Sequence, residues 1–198
     1  MSSPSPTEIQ PLQPEPAQAR ALLAQSEQLL TAQDVARAVT RVAGEITAVL
    51  AADHPLLLTV MRGGVVFAGH LLPQLQFPLE FDYVDATRYG TATEGGRLQW
   101  RVDVPEAAVR GRTVLVIDDI LDEGHTLAAV RDRLLESGVQ RVLIAVFADK
   151  QLPVIKPVTA NFIGVRVPNR YVFGFGMDVR GLWRNLPAVY ALRQDSQG

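Results

Sequence analysis

An amphipathic helix is predicted for the segment that follows Thr31. Apolar residues recur there at intervals of three and four, which places them on one face of a helix: Val35, Val39, Val42, Ile46 and Val49. Thr31 and Asp34 have the T-x-x-D spacing of a capping box, which satisfies the free backbone N–H groups at a helix start. We therefore expect a core helix that begins near Thr31 and is the first helix of the chain.

Three short segments are built around a continuous apolar stretch, which is typical of strands that are buried on both faces, as in a parallel sheet. They are Leu56–Met61, Thr113–Asp119 and Arg141–Phe147. The first run is followed by a glycine-rich turn and a helical pattern. The second is followed by a turn over Ile120–Thr126 and a helix over Leu127–Gly138. Strands that alternate with helices predict an α/β fold with a mostly parallel central sheet flanked by helices.

The segments outside this alternation are expected at the margins of the fold. A strand over Leu79–Tyr89, a polar glycine-rich stretch and a strand over Arg97–Val102 predict a hairpin with a long loop. Beyond the third apolar run the pattern becomes irregular, with short strands over Asn161–Val167 and Tyr171–Phe173. We expect a small C-terminal or N-terminal hood over the strand ends, contributed by about residues 150–190.

The composition indicates one globular domain and narrows the classes of function. The chain has 198 residues, of which 47% are hydrophobic, and it contains no cysteine, so a disulfide scaffold and a thiolate nucleophile are excluded. Its net charge of −2 does not favour nucleic-acid binding. No apolar run reaches the ~20 residues of a membrane span. Prolines concentrated at the N-terminus predict a disordered tail over residues 1–16, followed by a single domain over 17–198.

The segment Val114–Thr126 carries the strongest chemical signal. Its apolar strand residues are followed by two adjacent carboxylates, Asp118 and Asp119, and Asp122 then starts a tight turn. Gly124 permits close approach to the backbone N–H groups at a helix N-terminus, which bind anions. Carboxylates beside an anion site suit a ribose 5-phosphate, because the phosphate can bind the amides while the hydroxyls donate to the carboxylates. Taken alone, Asp122 also fits a simple helix N-cap.

This ordered combination resembles the phosphoribosyl-diphosphate (PRPP) binding motif of the phosphoribosyltransferases. Met61–Gly64, after the first strand, is similar to the pyrophosphate loop of that family. The loop often holds a non-proline cis peptide, which would fall here at Met61–Arg62. The resemblance implies a type I phosphoribosyltransferase fold and a PRPP site formed by Asp118, Asp119, Asp122, Glu123, Gly124, His125, Thr126, Arg62, Gly63 and Arg184.

The stretch Val167–Pro187 is similar to the base-binding hood of the hypoxanthine-guanine phosphoribosyltransferases. By this resemblance Tyr171 would stack on the purine, the Val172 backbone would meet the edge of the base, and Lys150 would donate to its 6-oxo group. An aromatic face suits a flat purine, and a fixed cation disfavours the 6-amino group of adenine. The resemblance extends from about residue 29 to residue 192.

The same resemblance implies a metal site and a mobile loop. Mg²⁺ would be bound near the acidic residues of the motif and of the hood, by Asp118, Asp119 and Asp178. A mobile loop that starts at Arg88 and Tyr89 would close over the reacting centre and exclude water, because hydrolysis competes with transfer.

The implied activity is that of a purine salvage enzyme. The enzyme would transfer the 5-phosphoribosyl group from PRPP to N9 of hypoxanthine or guanine, giving IMP or GMP and diphosphate, with Asp122 as the general base. Its partners would be PRPP and a 6-oxopurine base, Mg²⁺ its cofactor, and a homodimer or homotetramer its assembly, with no nucleic acid and no membrane. The N-terminus lacks the features of a signal peptide, so we expect a cytoplasmic protein.

The sequence departs from the family pattern at three positions. Asp118 stands where the family usually has glutamate, and Glu123 stands where it commonly has threonine. Arg88 precedes Tyr89 where many relatives have serine. A carboxylate at Glu123 repels phosphate unless it points outward or meets a base. His125 lies nearby and is either that base or simply a residue of the helix start.

Three alternatives stay open at this point. The same fold could act on xanthine, adenine or a pyrimidine. A non-catalytic regulator could keep the fold and bind PRPP as a signal. A Rossmann-type nucleotide module would need G-x-G-x-x-G after the first strand, and the segment RGGVVFAG does not have that spacing.

Overall fold

Helices and strands alternate over much of the described chain up to Lys150, and only strands and loops follow. The computed structural model describes residues 15–88 and 98–193, so most of the predicted tail lies outside the described residues. None of the helices within these ranges is long and apolar enough to cross a membrane. In chain order the elements are α1 (Pro16–Ala24), β1 (Glu27–Leu30), α2 (Ala32–Leu50), β2 (Leu56–Met61), α3 (Gly64–Leu71), a 3₁₀ turn (Leu72–Gln74), β3 (Glu80–Arg88), β4 (Leu98–Val102), α4 (Glu106–Val109), β5 (Thr113–Leu121), α5 (His125–Glu136), β6 (Arg141–Lys150), β7 (Phe162–Val167), β8 (Val172–Phe173) and β9 (Val189–Ala191).

Six strands form a central sheet in the order β4-β3-β2-β5-β6-β7. The strands from β3 to β7 in this order pair in parallel, and β4 pairs antiparallel with β3 as the predicted hairpin. The prediction of a mostly parallel sheet is confirmed. The chain proceeds outward from β2 to β3 on one side and from β5 to β6 on the other, so the strand order reverses between β2 and β5. In open α/β sheets, ligands bind at the carboxyl ends of the strands beside such a reversal.

Helices cover both faces of the sheet, because the buried strand residues alternate between the faces. Leu57, Leu115 and Ile117 share one core cluster with residues of α2 and α3. Leu58 and Val116 belong to a second cluster, together with residues of α5. The loops at the carboxyl ends of β2 and β5 are thus anchored on strands that are buried on both sides.

Helix α2 begins at the predicted position, with a formed capping box. The backbone N–H of Asp34 donates to Thr31 Oγ1, and the backbone N–H of Thr31 donates to Asp34 Oδ2 at 2.9 Å. Val49, expected in the buried stripe, is 43% exposed, and Leu50 is buried in its place. The core-facing residue that follows Ile46 is therefore Leu50, four positions on, rather than Val49, three positions on.

The expectation that this is the first helix is wrong, because α1 precedes it. Helix α1 starts with Pro16 at its N-terminus, where the missing N–H is tolerated. None of its nine residues is buried, so its sequence carries no apolar stripe. The indole N–H of Trp183 donates to the carbonyl oxygen of Ala19 at 3.1 Å, which attaches α1 to the C-terminal part of the fold.

A second, antiparallel sheet in the order β1-β9-β8 forms the hood. Its strands come from both ends of the described chain, so the hood is not confined to the predicted region around residues 150–190. The predicted hood strand Asn161–Val167 instead provides β7, which pairs in parallel with β6 at the edge of the central sheet. Helix α2 secures this edge, since the guanidinium of Arg41 donates to the carbonyl oxygen of Gly164 at 2.5 Å.

Candidate active site

A cavity of about 510 Å³ opens beside the reversal of the strand order, at the carboxyl ends of β2, β5 and β6. The β2–α3 turn, the β5–α5 turn and the hood supply its polar wall. Arg88 ends β3, but its side chain and all of Tyr89 lie outside the described residues. The other predicted site residues all line the cavity: Arg62, Gly63, Asp118, Asp119, Asp122, Glu123, Gly124, His125, Thr126, Lys150, Tyr171, Val172, Asp178 and Arg184.

Asp118 and Asp119 form a buried carboxylate pair on this wall. They lie within β5 rather than at its end, because Ile120 and Leu121 continue the pairing with β6. The backbone N–H of Asp119 donates to Asp118 Oδ1 at 2.9 Å. Burial raises the pKa of both carboxyls, and the neighbouring charge of Asp119 raises that of Asp118 further, while Arg184 opposes the rise. A cation or sugar hydroxyls at this position would compensate the buried charge.

The donor chemistry of this wall fits Mg²⁺. Proteins hold Mg²⁺ through one or two carboxylates, and the substrate phosphates and water supply the remaining oxygen ligands. Asp118 and Asp119 offer such carboxylates, and Asp178 lines the same cavity. Within residues 15–88 and 98–193, no three carboxylate or imidazole side chains form a complete metal cage. The site therefore suits an ion that is shared with a phosphorylated substrate.

The turn between β5 and α5 presents backbone N–H groups to the cavity. Gly124 lies at the N-cap of α5 with φ of 83°, a left-handed conformation that favours glycine. No side chain of the described chain caps this helix, so the amides of His125 and Thr126 are available to an anion. The Glu123 side chain is 69% exposed, and its Oε2 lies 3.9 Å from His125 Nε2. This arrangement keeps the Glu123 carboxylate beside a base, in line with the expectation from the sequence.

The β2–α3 turn packs directly on the carboxylate pair. The peptide bond between Met61 and Arg62 is cis, as the resemblance implied. A Cβ atom on Gly63 would lie 2.6 Å from Asp119 Oδ1 and closer still to Oδ2. A Cβ atom on Gly176 of the hood would collide with the carbonyl oxygen of Gly63. Turn, carboxylate and hood therefore meet without side chains between them, and this contact fixes their relative positions.

Lys150 and Asp122 form an ion pair across the cavity wall. Lys150 Nζ donates to Asp122 Oδ2 at 2.5 Å. The Lys150 side chain is 12% exposed and that of Asp122 is 46% exposed, so the carboxylate is the more accessible partner. Their contact leaves no signal in the sequence, because the two residues are 28 positions apart and no motif connects them.

Arg184 connects the hood to the carboxylate pair. Its Nη2 donates to Asp178 Oδ1 at 2.5 Å and its Nη1 donates to the carbonyl oxygen of Gly176 at 2.6 Å. Nη1 also lies 3.6 Å from Asp119 Oδ2. Tyr171 is 51% exposed, and partial burial together with the charge of Asp178 raises the pKa of its hydroxyl. The hood thus presents a fixed cation and an accessible aromatic face to one cavity.

Comparison with known proteins agrees with this geometry. The profile of the phosphoribosyl transferase domain matches residues 25–179. The chain belongs to the phosphoribosyltransferase family. This phosphoribosyltransferase is 30% identical over 168 residues to the hypoxanthine-guanine phosphoribosyltransferase of Streptococcus thermophilus, a match that covers 84% of the chain and 93% of the relative. The family resemblance inferred from the sequence is confirmed.

Two further matches define the extent of the similarity. The bifunctional protein TilS/HprT of Listeria innocua is also 30% identical over 168 residues, and the chain spans 26% of its length. The solved hypoxanthine phosphoribosyltransferase from Staphylococcus aureus superposes with a TM-score of 0.80 at 26% identity, covering 87% of this chain and 95% of that one. The likeness to the Staphylococcus structure therefore extends over most of the fold.

The apolar part of the cavity wall was missed in the sequence. It consists of residues from the strands, from α5 and from the hood: Val60, Met61, Ala86, Ile120, Leu127 and Met177. Ile120 lies within the acidic motif and Leu127 directly follows it, and that position was the available signal for them. Ala86 and Met177 reach the cavity through the tertiary fold, for which no local pattern exists. In this phosphoribosyltransferase they add an apolar surface next to the polar groups.

Proposed function

We propose that this phosphoribosyltransferase acts in purine salvage. It transfers the 5-phosphoribosyl group from PRPP to N9 of hypoxanthine or guanine and forms IMP or GMP and diphosphate. The observation that carries the proposal is that one cavity combines a buried carboxylate pair, an uncapped helix N-terminus and Lys150. The names of the Streptococcus and Staphylococcus relatives support the same class of base.

PRPP is proposed to bind along the β5–α5 turn. Its 5-phosphate binds the backbone amides at the start of α5, around Thr126, where the helix dipole favours an anion. Its ribose hydroxyls donate to Asp118 and Asp119. The diphosphate lies between the Arg62–Gly63 turn and Arg184, because a guanidinium matches phosphate oxygens in bidentate geometry.

Mg²⁺ is proposed to accompany PRPP, with Asp118, Asp119 and Asp178 as the protein carboxylates that hold it. When bound, it neutralises charge on the departing diphosphate. Arg62 and Arg184 add fixed positive charge to the same region, which stabilises the diphosphate as the bond from C1 to oxygen breaks.

The purine is proposed to lie against the hood. Tyr171 offers its accessible ring to the flat base, and the Val172 backbone meets the polar edge of the base. Lys150 exchanges its contact with Asp122 for one with the 6-oxo group. An ammonium group carries donors only, so it favours a 6-oxopurine over adenine, whose 6-amino group is also a donor.

Asp122 is proposed as the general base. Once Lys150 has turned to the purine, the accessible carboxylate of Asp122 accepts the proton that leaves N7 while N9 bonds to C1. The loop that starts at Arg88 and Tyr89 is proposed to close over the reacting atoms and to exclude water.

The proposed function is tested by incubating the protein with PRPP, Mg²⁺ and hypoxanthine, guanine, xanthine or adenine in separate reactions. We expect nucleotide from hypoxanthine or guanine, and a loss of roughly 100-fold or more in Asp122→Asn. Asp132→Asn is the matched control, because Asp132 lies on α5 in an exposed pair with Arg131 and should leave the rate unchanged. Product from adenine alone would overturn the proposed 6-oxopurine class, and product from xanthine alone would overturn the choice of hypoxanthine or guanine within it. PRPP binding without product from any base would instead indicate a regulator.

The assembly and the location are also proposals, and the assembly rests on the family resemblance. We propose a homodimer or homotetramer in the cytoplasm. Sedimentation velocity of the purified protein should give a species of two or four chains. A monomer at micromolar concentration would contradict this.

A further inference from the structure

Lysine is rare in this chain and is confined to one place. The sequence contains 17 arginines but two lysines, Lys150 and Lys156. Lys150 ends β6, and Lys156 follows six residues later in the connection to β7. Lys156 is outside the set of residues that line the cavity, and its side chain is 12% exposed. Its ammonium group is therefore largely shielded from solvent and lies outside the cavity lining.

The ammonium group of Lys156 donates three hydrogen bonds. It donates to the carbonyl oxygen of Leu121 at 2.8 Å, to the carbonyl oxygen of Lys150 at 2.6 Å, and to Asp149 Oδ1 at 2.6 Å. An ammonium group has three N–H donors, so all of them are used and none is left for a substrate. The Asp149 side chain is 15% exposed, so the ion pair between Lys156 and Asp149 is largely shielded from solvent.

The acceptors of Lys156 adjoin the two residues proposed to act on the base. The Leu121 carbonyl belongs to the peptide group that joins Leu121 to Asp122. The hydrogen bond from Lys156 to this carbonyl oxygen therefore fixes the orientation of the peptide group that precedes Asp122. The second acceptor is the backbone carbonyl of Lys150 itself. Since Leu121 and Asp149 are direct partners in the β5–β6 register, Lys156 ties the last residues of both strands together.

We propose that Lys156 is a positioning residue that holds the Asp122 carboxylate and the Lys150 ammonium in the correct positions relative to the purine. This inference rests on the proposed function of Asp122 and Lys150. It assigns Lys156 no contact with substrate. It also explains why lysine stands here in an arginine-rich chain: three convergent acceptors suit a compact ammonium, whereas the planar guanidinium of arginine directs its donors in a fixed fork.

The test compares steady-state kinetics of the full chain in wild type, Lys156→Met and Lys156→Arg, with PRPP, Mg²⁺ and hypoxanthine or guanine. Lys156→Met keeps the Cβ atom and the aliphatic stem that pack near Gly124. We expect kcat to fall by roughly 10- to 100-fold and KM for the base to rise, while KM for PRPP stays within about twofold. Lys156→Arg should restore the charge but not kcat.

Arg131→Met is the matched control for this segment. Arg131 Nη1 donates to the carbonyl oxygen of Pro157 at 3.2 Å, so it contacts the same connection from the α5 side without reaching the strand ends. We expect wild-type kinetics from this variant. Thermal melting of all variants shows whether a low rate reflects unfolding, and Lys156→Arg decides the question if Lys156→Met does not fold.

Three outcomes of the variant kinetics would overturn this inference alone. Wild-type kcat in Lys156→Met would show that Asp122 and Lys150 do not depend on Lys156 for their positions. Rescue of kcat by Lys156→Arg would show that charge alone matters, and an equal loss in kcat and in PRPP affinity would indicate a general structural role. Product from the wild type keeps the proposed function in each of these cases. Absence of product from the wild type with every base would overturn the proposed function and this inference with it.

Discussion

Replacement of Gly63 by alanine should separate activity from folding at the centre of the site. The new Cβ atom would lie 2.6 Å from Asp119 Oδ1 and closer to Oδ2. Non-bonded carbon atoms settle at about 3.5–4.0 Å, so the carboxylate has to retreat by about 1 Å. Asp119 is 7% exposed and lies under the hood, which leaves little room for that movement. A misplacement of this size costs roughly 100-fold in rate, and we expect that loss in kcat/KM for PRPP.

Gly44→Ala is the matched control for Gly63→Ala. Gly44 lies inside α2, and no described atom beyond its chain neighbours and the backbone of the helix itself lies within 4 Å of a Cβ atom built on it. The same substitution there should leave kcat/KM unchanged and stabilise the protein by about 0.8–1 kcal/mol, since alanine is the better helix former. Initial rates at varied PRPP and thermal melts of both variants check these effects. Wild-type kcat/KM in Gly63→Ala would refute the role given to the contact between the β2–α3 turn and Asp119.

Two predictions concern stability. Hydrogen bonds from Thr31 lower the pKa of Asp34, so its stabilising effect is present above the ordinary carboxyl pKa and is lost as the pH falls through the lowered value. Melting curves should show a gap between wild type and Asp34→Asn that closes on acidification, and a constant gap would contradict this. Burial raises the pKa of Asp118, so Asp118→Asn should raise the melting temperature of the metal-free protein at neutral pH while lowering its activity. A lower melting temperature of Asp118→Asn would show that the buried charge of Asp118 does not destabilise the metal-free protein.

The central strands could be predicted from the sequence because a strand that is buried on both faces requires consecutive apolar residues. Each of β2, β5 and β6 contains a continuous apolar run, and a sheet flanked on both sides requires that composition. The capping box of α2 is equally local, since Thr31 and Asp34 are three residues apart. Features set by neighbouring residues were therefore accessible before the structure was known.

The remaining features depend on partners that are distant in sequence. Helix α1 buries none of its residues, so its sequence has no periodic signal. Strand β7 has a mixed burial pattern at a sheet edge, and it was therefore assigned to the hood. The contacts of Lys150 with Asp122 and of Lys156 with Leu121 span 28 and 35 residues. Local patterns do not encode such pairs, which form only when β5 and β6 align.

The motif residues were found through the resemblance rather than through pattern alone. The fold brings together the β2–α3 turn, the β5–α5 turn, Lys150 and the hood around one cavity.

Their roles in binding and catalysis are the proposal that experiment has to test. A mixture of the wild-type protein with PRPP, Mg²⁺ and hypoxanthine or guanine provides that test most directly. We expect nucleotide and diphosphate to form in equal amounts, and only when the base is present. PRPP consumption without nucleotide, or no reaction with either base, would contradict it.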